Sequence, residues 1–275
     1  MGKVREETPK SFQEFVELIE ALQVKTKGSM WYRGCGKSHY GLLPTLYRHE
    51  IKKKLDELGD LERKLITRFR QRSIPFHSRT LIDDWDTLFF MQHYGVPTRL
   101  LDWTENPFIG FYFAVMTAPF SRAKRRGGTK DVVFREDAAV WVFCPVEWNS
   151  HALKHQNFDR GILTPGDEAL KGYRPLTEFS GMNAYPVALY GAHNSPRIVA
   201  QRGAFTIFGQ DTRPMETIHS AHDFPEQCLV KIKLSRQKLP KMRKCILRHG
   251  ITESVVFPDL DGLAREIKRD SGFEG

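Results

Sequence analysis

Cysteine is scarce. Cys35, Cys144, Cys228 and Cys245 are scattered over 275 residues and form no CxxC pair. That scatter argues against a metal knuckle or a disulfide framework, and for reduced thiols in a cytoplasmic protein. Long apolar runs are lacking too. The most apolar stretch, 107–120, falls short of the roughly 20 residues a membrane helix needs and reads as a buried helix, so no membrane partner is expected. The opening MGKVREETPK is polar and charged, and no secretory signal is expected. There is no GxSxG elbow and no HExxH pair. Gly36-Lys37-Ser38 is not the end of a phosphate loop, because the required glycine five positions before Gly36 is Trp31. No repeat or low-complexity linker divides the chain.

What is present is a sequence for a packed globule, 40% hydrophobic and 12% aromatic. The net charge of +9 favours anionic partners: nucleic acid, nucleotide phosphates or acidic macromolecules. One basic cluster, Arg122, Lys124, Arg125, Arg126 and Lys130, surrounds Gly127-Gly128 and reads as a loop. Another, Arg236, Lys238, Lys241, Arg243, Lys244 and Arg248, follows a helix. Neither interleaves aromatic residues as single-strand binders do, so a solvated surface is the plain alternative for both.

Periodicity and caps sketch the elements. Ser11 and Glu14 form a capping box that opens an amphipathic helix through Phe15, Ile19 and Leu22. Residues 29–33 read as a strand, and 51–72 as a charged helix interrupted at Gly59. Residues 83–94 read as a second amphipathic helix ended by Gly95. Pro97 bars its continuation, a brief strand covers 98–101, and Pro107 starts another helix. AAVWVFC at 138–144 has the length and continuity of a central strand. Residues 146–185 read as loops and short helices. Strands are expected at 196–201, 204–208 and 228–234, the first two forming a hairpin through Arg202-Gly203. A last helix starts near Leu263. The expectation is an α+β fold: a single domain over 1–275, helical up to about residue 95 and sheet-rich from 96, with a small, mostly antiparallel sheet flanked by helices.

Two segments carry chemistry. In Tyr32-Arg33-Gly34 an arginine sits at a strand end, where its planar guanidinium suits bidentate capture of phosphate or carboxylate. The plain alternative is a salt bridge to a neighbouring strand. The stretch Gln92 to Thr104 packs His93, Tyr94, Thr98, Arg99, Asp102, Trp103 and Thr104 between two apolar helices. Each buried polar group there needs a partner, and a site explains such density better than packing. Singly, Asp102 and Thr104 could be helix caps and His93 a satisfied helix-end histidine. Cys35 has no evident histidine partner and reads as inert. Asp259 and Asp261 read as a turn and cap rather than a cation site.

Tyr32-Arg33-Gly34, Gln92-His93-Tyr94-Gly95, Pro97 to Thr104, Phe113-Ala114, Arg197 to Phe205 and Phe257 to Ala264 resemble the FRG domain, a family named for its aromatic-Arg-Gly signature. The likeness spans about Ser11 to Ile267. Tyr32 stands where the family has Phe, and Gly110 where a small residue such as Ala is usual. The resemblance implies a part in bacterial conflict, as a phage-defence component or toxin.

A weaker likeness bears on mechanism. The aromatic-Arg-Gly strand is similar to the first strand of the Arg-Ser-Glu class of ADP-ribosyltransferases, which implies an ADP-ribosyltransferase-like fold with NAD as substrate. On that parallel Arg33 holds pyrophosphate, with Tyr32 and Gly34 beside it. Trp103 or Tyr94 stacks on nicotinamide, Thr104 orients the ribose or Arg33, and His93 meets the adenosine side or a phosphate. Arg99 and Gln201 complete the binding set. The class also requires a glutamate on a late strand, where this sequence offers Arg197 and Gln201, so the catalytic carboxylate is left between Glu253 and Asp102. Three readings stay open: a nucleotide-using enzyme, a module binding nucleic acid or a nucleotide, and a structural adaptor. Nothing in the sequence speaks to oligomeric state.

Overall fold

Six consecutive apolar residues, Ala138–Phe143, are buried on both faces, which is what an uninterrupted apolar strand requires. The computed structural model describes residues 4–26, 28–76, 81–124, 130–159, 161–178, 181–191 and 195–273. Its strands are β1 (Arg5–Glu7), β2 (Trp31–Cys35), β3 (Leu100–Thr104), β4 (Phe120–Lys124), β5 (Lys130–Phe134), β6 (Ala138–Phe143), β7 (Val187–Leu189), β8 (Gly203–Ile207) and β9 (Leu229–Leu234). Seven of them form one sheet in the order β1-β9-β6-β2-β3-β8-β7, and β4 and β5 form a separate ribbon. Among the described strands of the large sheet, β1–β9 is the parallel pair and the other pairs are antiparallel.

The helices are α1 (Phe12–Lys25), α2 (Leu55–Ser73), α3 (Asp84–His93), α4 (Pro107–Met116), α5 (Pro145–Ala152), α6 (Pro196–Gln201), α7 (Met215–Ala221), α8 (Leu239–Arg248), α9 (Glu253–Val256) and α10 (Leu260–Asp270). Strand alternation gives the sheet two apolar faces. Trp31, Trp103, Trp141 and Phe143 pack with residues of α2, α3 and α5. Tyr32, Val140, Val142 and Ile232 pack with residues of α1, α4 and α8. The protein is thus a mixed α/β fold with a mostly antiparallel open sheet and helices on both faces.

Several expected elements are redrawn. Residues 196–201 form helix α6, not a strand. The Ser195 side chain accepts from the Ile198 N–H, Pro196 occupies the first turn, and Arg202 closes the end in a left-handed conformation. α2 runs through Gly59 without interruption, because Leu58, Glu62 and Ile66 are all anchored in the interior. The strand expected at 98–101 begins at Leu100 and reaches Thr104, giving Asp102, Trp103 and Thr104 to the sheet. Arg122, Lys124 and Lys130 lie on β4 and β5 rather than on a loop; Arg125, Arg126, Gly127 and Gly128 lie outside the described residues. Asp259 caps α10 by accepting from the Gly262 N–H. Among the described residues, no helix is long and apolar enough to cross a membrane.

Candidate functional site

The strand pairings leave a notch in the sheet. β2 pairs with β6 along all five of its residues, yet with β3 only at Tyr32↔Thr104. Beyond that pair, Arg33 sends its guanidinium across the gap, and Nη1 donates to the main-chain oxygen of Asp102 at 2.6 Å. The same Nη1 lies 3.8 Å from Asp102 Oδ2. On the other side, Gly34 and Gly110 let α4 lie directly on β2. A Cβ on Gly34 would stand 2.0 Å from the Gly110 oxygen, and one on Gly110 would stand 2.8 Å from Tyr32 Cβ. The glycine of the aromatic-Arg-Gly signature is therefore a seat for a helix.

A cavity of about 260 Å³ opens beside this notch. Arg33, Gln92, His93, Asp102, Arg197 and Gln201 supply polar groups to its wall, and Phe89, Trp103, Phe113 and Phe205 supply rings. Asp102 is the one carboxylate among these wall residues. It is held by a relay: Thr98 Oγ1 donates to Gln92 Oε1 at 2.5 Å, and Gln92 Nε2 donates to Asp102 Oδ2 at 2.8 Å. With both ends of its amide committed, Gln92 holds the carboxylate in one orientation. The Asp102 side chain is still 56% exposed, so it remains open to a ligand.

Electrostatics ties Arg197 and His93 to this carboxylate. Burial lowers the pKa of Arg197 below its ordinary value, and Asp102 counters that. Burial, then the nearby Arg197 charge, lowers the His93 imidazole below its usual value, with Asp102 acting the other way. A half-buried neutral imidazole at neutral pH follows.

The expected residues divide into two groups. Tyr32, Arg33, Gly34, His93, Asp102, Trp103, Thr104 and Gln201 all line the cavity. Some of them have structural duties as well. The Tyr32 hydroxyl accepts from Gln23 Nε2 at 3.1 Å on α1, and burial raises its pKa to about 12. The Trp103 indole donates to Thr206 Oγ1 at 3.1 Å, and its ring stacks on Phe143. Thr104 Oγ1 donates to the Gln201 oxygen at 2.5 Å and accepts from the Asn106 N–H, while Asn106 itself caps α4. Gln201 Nε2 donates to the Val256 oxygen at 3.0 Å.

Three expected residues lie elsewhere. Arg99 is fully buried: Nε donates to Glu62 Oε1 at 2.8 Å, Nη1 to the Phe208 oxygen and Nη2 to the Tyr173 oxygen. It braces α2 against the sheet and carries no charge to the cavity. Glu253 stands at the start of α9, not at a strand end. It is buried and takes Arg269 Nε on both oxygens at 2.9 and 3.0 Å. Tyr94 faces a separate apolar groove with Phe69, Phe76 and Phe90. Phe89 and Phe113 join the wall as well, and so does Arg197, which the sequence placed on a strand where a glutamate was sought. The N-cap Ser195 followed by Pro196 was the available signal that Arg197 sits in a helical first turn facing inward. Cys35 is buried, and burial raises its thiol pKa despite Arg33 nearby, as expected of an inert cysteine.

Fold and site together define a mixed α/β protein with a polar, aromatic-walled cavity at a break between two strands. Residues 28–122 match the FRG domain family, and the chain carries an FRG domain over that segment. The match takes in β2, α2, α3, β3 and α4, hence Arg33, Gln92, His93 and Asp102; Arg197 and Gln201 lie beyond it. No curated protein and no solved structure matches the chain.

Proposed function

We propose that the cavity binds NAD or a closely related nucleotide and that the protein breaks its glycosidic bond, passing ADP-ribose to water or to a macromolecular acceptor. The observation that carries this reading is a single oriented carboxylate, Asp102, set between the Arg33 and Arg197 guanidinia in an aromatic-walled cavity. Its volume, just below the usual range for drug-sized ligands, suits one nucleoside-sized half of a dinucleotide. The guanidinia suit phosphate oxygens, and the rings of Phe89, Phe113 and Phe205 suit a planar base.

In the chemical step the bond from ribose C1′ to the nicotinamide nitrogen breaks, and its electron pair leaves with nicotinamide. The carbon passes through an oxocarbenium-like state. Asp102 stabilises that positive charge, and an incoming water or acceptor forms the new bond and loses a proton. Gln92 and Thr98 are positioning residues that fix Asp102. Thr104 holds the turn between β3 and α4. Glu253 is committed to Arg269, so Asp102 takes the part of the missing late-strand glutamate. Loss of NAD would harm a host cell, which accords with a defence or toxin setting for this family.

The test is incubation of the purified protein with NAD, following nicotinamide release in wild type, Arg33→Ala and Asp102→Asn. Release by the wild type, lost in Asp102→Asn with NAD binding retained, is the expected result. A second reading, a non-catalytic nucleic-acid module, rests on the exposed cations Arg236, Lys238, Lys241, Lys244 and Arg248 along and before α8. No release and no labelled macromolecule, together with steeply salt-dependent RNA or DNA binding, would favour it.

A further inference from the structure

Behind the first cavity lies another of about 400 Å³, between α4, α8, α9 and α10. Phe113 of α4 forms part of both walls. Its ring meets that of Phe257 edge-on at 5.9 Å, and the Phe257 ring carries two guanidinia: Arg197 from the first cavity at 4.6 Å and Arg265 from the second at 4.3 Å.

The wall of this second cavity pairs cations with rings. Arg243, Arg265 and Lys268 bring positive charge. The Glu253 carboxylate in the same wall takes Arg269 on both oxygens, so exposed Arg265 and Lys268 give the cavity its positive character. Tyr112, Phe120 and Phe273 add aromatic surface, and the Arg243 guanidinium lies 5.3 Å from the Phe120 ring centre. Arg265 already rests on the Phe257 ring, yet the hollow beside it still joins aromatic surface to exposed positive charge. A ligand joining a planar ring to an anionic group uses both features at once.

We propose that this second cavity is a binding site for a nucleoside phosphate, distinct from the first, with the base against the rings and the phosphate on Arg265 and Lys268. The site stands apart from the reading of the first cavity and does not need it. The shared Phe113 wall and the Phe257 ring between Arg197 and Arg265 give the two sites a physical link.

Calorimetric titration of the full chain with ADP tests the proposal. The expected result is two binding events. Arg33→Ala removes one; the double variant Arg265→Ala/Lys268→Ala weakens the other at least tenfold and leaves the first within about twofold. Arg265 and Lys268 are exposed, so a fold change is not at issue, and circular dichroism checks it. Phe273→Ala, at a 77% exposed ring, should weaken ADP while leaving inorganic pyrophosphate unchanged. Lys241→Ala/Lys244→Ala, which removes exposed charge on α8, should change neither event. ADP binding by the Arg265/Lys268 variant indistinguishable from wild type overturns the proposal, as does an equal loss in the α8 control. Should only the Arg265-dependent event appear, the nucleotide reading of the first cavity fails and this one stands.

Discussion

The Arg33 guanidinium donates to the main-chain oxygen of Asp102, a residue 69 positions further along the chain. It does so where β2 and β3 stop pairing, so a side chain spans the gap that strand hydrogen bonds leave open. The fork geometry matters here, because one nitrogen can hold the carbonyl while the others face the cavity. Arg33→Lys keeps the charge but gives up that division of labour. It should fold with a Tm near wild type and bind NAD at least tenfold more weakly, as read by calorimetry. A lysine variant that binds as well as wild type would reduce Arg33 to a point charge and remove the geometric argument.

Helix α4 lies this close to β2 because Gly34 and Gly110 lack side chains. Gly34→Ala places a methyl 2.0 Å from the Gly110 oxygen and 2.4 Å from the Ala114 nitrogen, both main-chain atoms that cannot rotate away. Overpacking of this kind costs about 1–3 kcal/mol, occasionally more. In a chain of this order of size that is a Tm loss of roughly 2–4 °C per kcal/mol. Thermal denaturation should show the loss for Gly34→Ala, and a smaller one for Gly110→Ala, where the obstacle is the Tyr32 Cβ at 2.8 Å. Gly34→Ala with unchanged Tm and lost NAD binding would instead mean that the glycine serves the ligand directly.

Arg99 and Glu62 form an ion pair whose side chains are 0% and 2% exposed. Desolvation opposes the Arg99 charge, and Glu62 and neighbouring groups more than offset it. Removing one partner strands the other, which costs roughly 3–5 kcal/mol, whereas replacing both with apolar residues of similar size can be close to neutral. Arg99→Met and Glu62→Met should each lower the urea midpoint sharply. The double variant should recover part of the loss, giving a non-additive cycle. Additive losses would show that the two charges do not depend on one another.

How far the site could be read from residues alone follows from where each side chain finds its partner. The string from Gln92 to Thr104 announced many polar obligations. Gln92, Thr98 and Asp102 meet them with one another over short separations, and that network was legible as a cluster. Arg99 sits in the same string and looks equally available, yet its partners are 37, 74 and 109 positions away. Glu253 was ambiguous for the same reason, since Arg269 claims it from a different helix. The segment Pro196–Gln201 misled through its Ile198-Val199 pair, whose strand preference is overridden by the Ser195 cap, and Arg197 was placed on a strand with it. The central strand, the start of α1 and the stop at Gly95, where φ is +75°, were legible because each is set by its own few residues.

His93 makes the cavity sensitive to pH. Burial and then Arg197 lower its pKa in the folded protein, so the unfolded chain binds the proton more readily than the native state. Folding stability therefore carries no His93 contribution well above the ordinary imidazole value of about 6.5. It decreases as the pH falls through that value toward the lowered native one. His219, lowered first by burial as well, acts in the same direction. Urea titrations of wild type and His93→Gln at pH 7.5 and 5.5 isolate the His93 part by difference. The glutamine variant should lose less stability than wild type between these two values. Protonation of His93 also adds a cation beside Arg33 and Arg197, so at low ionic strength NAD affinity should rise modestly on acidification in wild type and stay flat in His93→Gln. An identical pH response of the two proteins in both measurements would place the imidazole outside the field of this site.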